Sequence, residues 1–395
     1  MRVGFYFVSI LSICTSSLFG QLVNNGTVLF VDKNAQLTVS GNYVHKDGDV
    51  VNNGEIVVKG DWSNKSKNPV FDTKSSGTVI FNSKASSFGG NPTLFPHLIF
   101  KGNGIFYAKA QLIARLSLDI DDAEIQAVIP EAITVMNDNP LSLFRNTGFI
   151  NTSLGSDGSL VRYTKAGEDY VFPLGVSANL LRFVTVKPKD ANTIAMSFLD
   201  KDPSSGGYSR LSKTNSVGEI NDAFYHVINR LKGTGGIDLT FHTSATEKYN
   251  NLARWTRNTI WDKATSVPNK SNAAIAPGLT QALYHQNADL ALGSSVAFAL
   301  AQVTNASPLE LYNAFSPDGD GKNDTWEVKN IDAFPDNDLK IFDRSGNLVY
   351  RMNSYNSSKY WDGQNVASGT YIYILRVKID GTDQYFKGSI TMVKN

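Results

Sequence analysis

The feature that most constrains the fold is a series of short apolar segments between residues 309 and 395, separated by turns rich in Gly, Asp and Asn. In the segment SGTYIYILRVKID, the side chains of Tyr371, Tyr373 and Leu375 occupy alternate positions, which is the period of a β-strand. Arg344–Asn347 supplies a turn between two further apolar segments. Several such strands within so short a stretch predict a small all-β domain, an Ig-like β-sandwich.

The same segments carry a family resemblance in five ordered blocks: FSPDGDGKND, IFDRSG, WDG, GTYIY and KG. They resemble the gliding-motility-associated C-terminal domain of Bacteroidetes, the type B sorting signal of the type IX secretion system. Asp318 stands where the family has Asn, and Ser345 stands where it has Trp. The motif residues are Phe315, Ser316, Pro317, Asp318, Gly319, Asp320, Gly321, Asn323, Asp324, Arg344, Gly346, Trp361, Asp362, Gly363, Gly369, Thr370, Tyr371, Tyr373, Lys387 and Gly388.

The resemblance implies export. A domain of this family is recognised by the type IX translocon and its outer-membrane shuttle components. The expected route runs through the periplasm and the outer membrane, and the expected location is the cell surface or the medium. Residues 309–395 would then be the sorting domain, and the rest of the chain would be its cargo.

The first twenty residues, MRVGFYFVSILSICTSSLFG, have one basic residue, an apolar run and then small residues. This pattern predicts a secretory signal peptide at 1–20, cut between Gly20 and Gln21. A lipoprotein cut before Cys14 is the alternative, although Ile13 is larger than the residue expected there. Cys14 is the only cysteine, so the exported chain would have no disulfide and no thiolate site.

Residues 21–150 read as short strands with a faint internal repeat. Val39–Tyr43 (VSGNY) is echoed by Val58–Trp62 (VKGDW) nineteen residues later, a spacing that fits one coil of a β-solenoid. Two weaker echoes are NNGT with NNGE and GTVLF with GTVIF. We therefore predict a β-solenoid, or β-helix-like stack, with a plain meander or sandwich as the alternative.

A Gly- and Ser-rich stretch near residues 148–159 marks a predicted boundary, after which about seven apolar segments predict a central β-sandwich at 155–300. The segment AQVTNASP, residues 301–308, is the predicted linker to the sorting domain.

Charge and motifs exclude several functions. Lys and Arg number 37 against 36 Asp and Glu, so no basic field attracts nucleic acid, and no segment beyond the signal peptide is apolar enough to cross a membrane. No catalytic motif is present and no catalytic residue is predicted.

His226 and His242 could face each other in one sheet, although ordinary strand histidines are the simpler interpretation. Exposed aromatic residues could stack on sugars, or pack in the core: Tyr43, Trp62, Trp255 and Trp261.

The acidic loop is the best candidate site. Asp318, Asp320 and Asp324 place carboxylates at short intervals on a Gly-containing turn, as short calcium loops do, but no distal bidentate Glu follows. The alternative is a turn in which the carboxylates cap backbone amides. Calcium is the one cofactor that the sequence suggests.

The sequence as a whole indicates an exported, non-enzymatic surface protein with an adhesive or surface-structural role linked to gliding motility and a glycan or surface protein as ligand. The alternatives are a secreted polysaccharide-active enzyme with a dispersed site, or a structural component of the gliding or secretion apparatus.

Overall fold

The structure, a computed structural model, describes residues 20–394 except 156–157, 215, 245–246, 250, 265, 271–274, 277, 304–308 and 380–381. The predicted signal peptide before Gly20 lies outside the described residues. The chain divides into two compact units, Met1–Val303 and Thr304–Asn395. Regular structure in the described ranges is β-strand, apart from short 3-10 helices at Pro140–Ser142, Pro203–Gly206, Ile331–Ala333 and Ser357–Lys359. The all-β prediction is confirmed.

The N-terminal region is a β-solenoid of about six turns, which confirms the solenoid over the meander. Its strands are β1 (Leu22–Val31), β2 (Gln36–Val39), β3 (Tyr43–Asn52), β4 (Glu55–Val58), β5 (Trp62–Asn64), β6 (Thr78–Phe81), β7 (Ala85–Gly90), β8 (Thr93–Phe100), β9 (Ile105–Ala108), β10 (Leu112–Asp119), β11 (Glu124–Ala127), β12 (Ile133–Val135), β13 (Leu143–Phe144) and β14 (Phe149–Asn151). Sheet A has the order β1-β3-β5-β7-β9-β11-β14, and sheet B begins with β2-β4-β6-β8-β10-β12. Each coil therefore adds one strand to each sheet.

The strand register explains the repeat. Tyr43 lies beside Trp62 and Val39 beside Val58, so the nineteen-residue echo marks equivalent positions in successive coils. The two weaker echoes do not mark equivalent positions in successive coils. Asn24 pairs with His45 rather than Asn52, while GTVLF lies in sheet A and GTVIF leads into sheet B.

Aromatic rings fill the solenoid interior. The ring centroids of Tyr43 and Trp62 lie 4.3 Å apart, and those of Phe81 and Phe88 lie 4.5 Å apart. Tyr43 and Trp62 are each 1% exposed, so they pack in the core and cannot stack on a sugar. Burial of each large apolar side chain contributes about 1.5–3 kcal/mol, and this burial holds together a coil that has no disulfide.

The central region continues sheet B. Its strands are β15 (Leu160–Thr164), β16 (Tyr170–Phe172), β17 (Gly175–Ser177), β18 (Leu180–Leu181), β19 (Val184–Pro188), β20 (Asn192–Leu199), β21 (Val217–Ile220), β22 (Tyr225–Gly233), β23 (Ile237–Thr243), β24 (Asn251–Trp255), β25 (Trp261–Ala264), β26 (Val267–Lys270), β27 (Gln281–Ala288) and β28 (Ser295–Val303). β15 pairs in parallel with β12 of the last coil and antiparallel with β20. Sheet B then runs β20-β22-β28-β24-β25.

Sheet B packs on sheet C, which has the order β16-β19-β23-β27-β26, to form the expected sandwich. Phe241 of sheet C and Phe298 of sheet B meet at 5.5 Å between ring centroids. Ile125 of the solenoid and Phe298 belong to one continuous apolar cluster. The two predicted regions, 21–150 and 155–300, therefore share both a sheet and a core. Of the predicted linker, residues 301–303 belong to β28 and residues 304–308 lie outside the described residues.

The C-terminal unit has its own core. Its strands are β29 (Glu310–Leu311), β30 (Ala314–Phe315), β31 (Val328–Lys329), β32 (Asn337–Phe342), β33 (Leu348–Asn353), β34 (Gly369–Ile379) and β35 (Thr382–Met392). A five-stranded sheet, β30-β35-β34-β32-β33, accompanies the two-stranded sheet β29-β31. The core contains Trp326, Leu339, Trp361 and Leu375. This arrangement is sandwich-like, as predicted.

Candidate functional site

The acidic loop connects β30 to β31 and has a folded backbone. The Ser316 amide donates to the Asn323 carbonyl at 2.8 Å, which closes the loop at its base. Gly319 and Gly321 have φ values of +82° and +81°, a region that residues with a Cβ rarely adopt. The two glycines therefore allow the tight turns that bring the three aspartates together.

The carboxylates in this loop accept hydrogen bonds from its own backbone. Asp324 accepts from the amides of Gly319 at 2.7 Å and Gly321 at 2.8 Å. Asp320 accepts from the Lys322 amide at 2.7 Å, and Asp318 accepts from the Asp320 amide at 3.2 Å. The capping arrangement predicted as one alternative is therefore present.

The same loop also has geometry suited to a cation. One carboxylate oxygen from each of Asp318, Asp320 and Asp324 lies within 4.8 Å of the other two. Two oxygens bound to one Ca²⁺ are separated by at most about 5 Å, twice the Ca–O distance of about 2.3–2.6 Å. The three oxygens are therefore close enough to share one ion, so capping and calcium binding are compatible.

The WDG block closes the core of the unit. Trp361 is 3% exposed, and its ring lies 5.3 Å from Phe315 and 5.4 Å from Tyr371. Its carbonyl accepts from the Trp326 amide at 2.7 Å. Gly363 follows with φ of +68°, and a Cβ there would lie 2.1 Å from the sulfur of Met392. The Trp361 ring thus fills the core, and the positive φ at position 363 favours glycine. Asp362 lies between Trp361 and Gly363 and caps the turn by accepting a hydrogen bond from the Gln364 amide at 3.0 Å.

The hairpin block is a tight turn between β32 and β33, as the sequence predicts. Asp343 caps it by accepting from the amides of Ser345 at 2.8 Å and Asn347 at 2.9 Å. Gly346 has φ of +85°. These hydrogen bonds from Asn347 and the turn amides lower the pKa of the Asp343 carboxyl. Arg344 is exposed at the tip.

The last two blocks meet across one strand pair. Tyr373 of β34 lies opposite Gly388 of β35, and a Cβ on Gly388 would lie 2.7 Å from the Tyr373 hydroxyl oxygen. Glycine at 388 therefore gives the Tyr373 ring room to lie against the neighbouring strand. Lys387 and Thr370 are exposed on either side of the pair.

Two structural residues of this site lie outside the motif. Tyr355 is fully buried, donates to the Trp326 carbonyl at 2.5 Å and accepts from the Trp361 amide at 2.9 Å. Asn337 donates to the carbonyls of Phe334 and Tyr355 and accepts from the Tyr355 amide. Nothing in the local sequence pattern distinguishes them from ordinary loop and strand residues.

The structure separates the candidate residues of the larger unit. His226 lies in sheet B and His242 in sheet C, so they are not neighbours in one sheet; the possibility that they face each other there was wrong. Trp261 is fully buried and Trp255 is half-buried beside it, with ring centroids 5.4 Å apart. Packing rather than sugar stacking accounts for both rings.

The comparisons with known proteins agree with this geometry. Residues 309–392 match the CHU_C type IX secretion signal domain. The C-terminal unit is a type IX secretion signal domain. No curated protein and no solved structure matches the chain. The signal domain implies an interaction with the secretion machinery and export to the cell surface or the extracellular space. No helix in the described ranges is long and apolar enough to cross a membrane.

Proposed function

We propose that residues 21–303 form a non-enzymatic cargo that the C-terminal domain delivers through the periplasm and outer membrane, and that this cargo acts in adhesion or as part of the cell-surface structure linked to gliding motility. The observation that carries the proposal is the secretion signal domain joined to a cargo in which sheet B runs continuously from the solenoid into the sandwich. A sheet that runs from the solenoid into the sandwich keeps the cargo rigid, and rigidity suits a module that presents a surface to a partner.

Removing residues 304–395 is expected to leave the remaining chain in the periplasm, because the secretion signal is lost while the first unit keeps its own core. Fractionation and surface labelling in a host with a type IX system would measure the distribution. As a matched control, residues 304–395 fused to a periplasmic reporter should carry that reporter to the surface. Normal surface delivery of the truncated chain would remove the sorting role.

We also propose that the acidic loop of the signal domain binds Ca²⁺. The converging carboxylates support this proposal. At 1 mM Ca²⁺ and a dissociation constant of about 0.1–1 mM, as in extracellular sites, binding stabilises the folded domain by about 0.4–1.4 kcal/mol. The expected rise in Tm is about 2–10 °C for a domain of this size. Mg²⁺ should raise it less, because Mg²⁺ demands stricter octahedral geometry.

Two variants separate binding from capping. Asp320→Asn keeps an oxygen for the Lys322 amide but removes a charge, so it should weaken the calcium effect and leave the melt in chelator nearly unchanged. Asp320→Ala removes the cap as well and should lower Tm in both buffers. Identical wild-type melts in calcium and in chelator would rule out the calcium site.

A further inference from the structure

A cavity of about 260 Å³ opens on the outer face of sheet B, where the last solenoid coil meets the central strands. On β20, Ile194, Met196 and Phe198 point into the core, and the alternate side chains point the other way, into this cavity. Its lining residues are Pro130, Ser159, Ala195, Ser197, Leu199, Lys201, Gly206, Tyr208, Tyr225, Val227, Asn229 and Ser295. The volume is below the roughly 300–1,000 Å³ of drug-sized sites and suits one small ring.

The floor is formed by small side chains from three neighbouring strands. Ala195 of β20 pairs with Asn229 of β22, which pairs with Ser295 of β28. In the next row, Ser197 pairs with Val227. These short side chains leave room for the hollow.

One wall is held rigidly before any ligand arrives. The Tyr208 ring packs edge-on against Tyr225 and Trp255, each at 5.5 Å between ring centroids. The loop that carries Tyr208 is fixed by Arg210, whose Nε and Nη2 donate to Asp202 at 2.7–3.0 Å. The Arg210 hydrogen bonds lower the pKa of Asp202 to about 2, so this ion pair persists at any ordinary pH. A preformed wall reduces the entropy lost on binding.

One residue of the described lining has an unpaired polar atom. Asn229 Oδ1 is buried and has no hydrogen-bond partner among the described residues. Asn229 is among the lining residues, and a side-chain amide can both donate and accept hydrogen bonds. Lys201 is the only charged residue in the described lining. That lining includes no carboxylate, whereas glycoside hydrolysis uses a pair of them, so the cavity is suited to binding.

We propose that this cavity binds a sugar ring that carries a carboxylate, a hexuronate unit of an acidic polysaccharide. The ring hydroxyls would bond to the Asn229 amide and the Ser295 hydroxyl, its apolar face would lie on Tyr208 and Val227, and its carboxylate would pair with Lys201. This proposal rests on the proposed surface display, for which it names the class of ligand. Export of the chain is tested separately, so failure here leaves the sorting role intact.

Titration of the purified protein with D-glucuronate and D-galacturonate, followed by ligand-observed NMR, tests the proposal, with D-glucose as the neutral probe. We expect a dissociation constant of about 1 mM or lower for at least one hexuronate and at least about tenfold weaker binding of glucose. Binding should weaken with added salt, because the carboxylate pairs with a partly exposed lysine. If neither hexuronate binds at 10 mM, or if glucose binds equally well, the proposal is wrong.

Three variants locate the site. Lys201→Gln should weaken hexuronate binding about tenfold and leave glucose unaffected. Asn229→Ala should weaken both, and Ser295→Phe should abolish binding, because Ser295 is exposed and a larger ring there fills the hollow. Lys232→Gln, an exposed lysine on β22 outside the lining, is the matched control and should bind as wild type. Thermal melts check that each variant is folded, and hexuronate binding that survives in folded Ser295→Phe would overturn the assignment.

Discussion

Replacing Trp361 with alanine is expected to lower the free energy of unfolding of the secretion signal domain by about 3–5 kcal/mol, the usual cost of emptying a buried aromatic site. The indole is 3% exposed and lies among the rings of Phe315, Tyr350 and Tyr371. The rigid neighbours cannot easily collapse into the space, because their backbones belong to β30, β33 and β34. Most of the expected loss in unfolding free energy should therefore be observed.

Urea denaturation of residues 304–395 measures this loss. Trp361→Phe keeps a ring in the site and should cost less than half as much, whereas Tyr385→Ala, at a residue that is 61% exposed, should change stability by less than about 0.5 kcal/mol. A loss below about 1 kcal/mol for Trp361→Ala would mean that the indole does not support the core.

The loss of stability has a consequence for export. A domain of this size has about 5–15 kcal/mol of stability to lose, so a cost of 3–5 kcal/mol leaves it marginal. Surface delivery of the Trp361→Ala protein should then fall with temperature more steeply than delivery of the wild type. We therefore expect the WDG block to affect export through folding; motif residues such as Arg344 and Lys387 are exposed.

Local sequence patterns predicted much of the fold. The alternation at Tyr371, Tyr373 and Leu375 places all three side chains in the core, because a strand has a period of two whatever it pairs with. The echo between Tyr43 and Trp62 succeeds for a related reason, since successive coils place equivalent residues side by side.

Contacts between distant residues could not be predicted. Nothing local indicates that β12 pairs with β15, so the sequence could not show that the solenoid and the sandwich share a sheet. The cavity floor joins Ala195, Asn229 and Ser295, which become neighbours only through the order of β20, β22 and β28. His226 and His242 lie on consecutive strands, yet the chain crosses between sheets after β22.

Lowering the pH from 7 to 4 is expected to destabilise the larger unit, mainly through these two histidines. His226 is 5% exposed and His242 is 4% exposed. Burial lowers the pKa of each to about 4, and the nearby charge of Arg182 acts in the same direction on His226. Each ring keeps a neutral hydrogen bond, His226 Nε2 to the Arg182 carbonyl at 3.1 Å and His242 Nε2 with Thr185 Oγ1 at 2.9 Å.

The direction of the pH dependence follows from the number of protons that the folded and unfolded chains bind. An unfolded histidine has a pKa of about 6.5, so between pH 6.5 and 4 the unfolded chain binds more protons than the folded one. Stability is therefore complete above about pH 7 and falls as the pH drops through this window. A pKa difference of about 2.5 units corresponds to a loss on the order of 3 kcal/mol per histidine at pH 4. Burial also lowers the pKa values of His45 and His97, which add to the slope.

Chemical denaturation of residues 21–303 at pH 7, 5.5 and 4.5 tests this expectation. His226→Gln retains a donor for the Arg182 carbonyl but cannot titrate. It should therefore reduce the loss of stability at low pH by roughly the contribution of one histidine. His242→Gln should do the same, and the double variant should remove most of the slope. Residues 304–395, denatured separately under the same conditions, are the control, because they contain no histidine. Equal slopes for wild type and double variant would contradict the assignment to these two histidines, because carboxylates such as Asp202, whose pKa the Arg210 hydrogen bonds lower to about 2, change stability mainly below about pH 4.5.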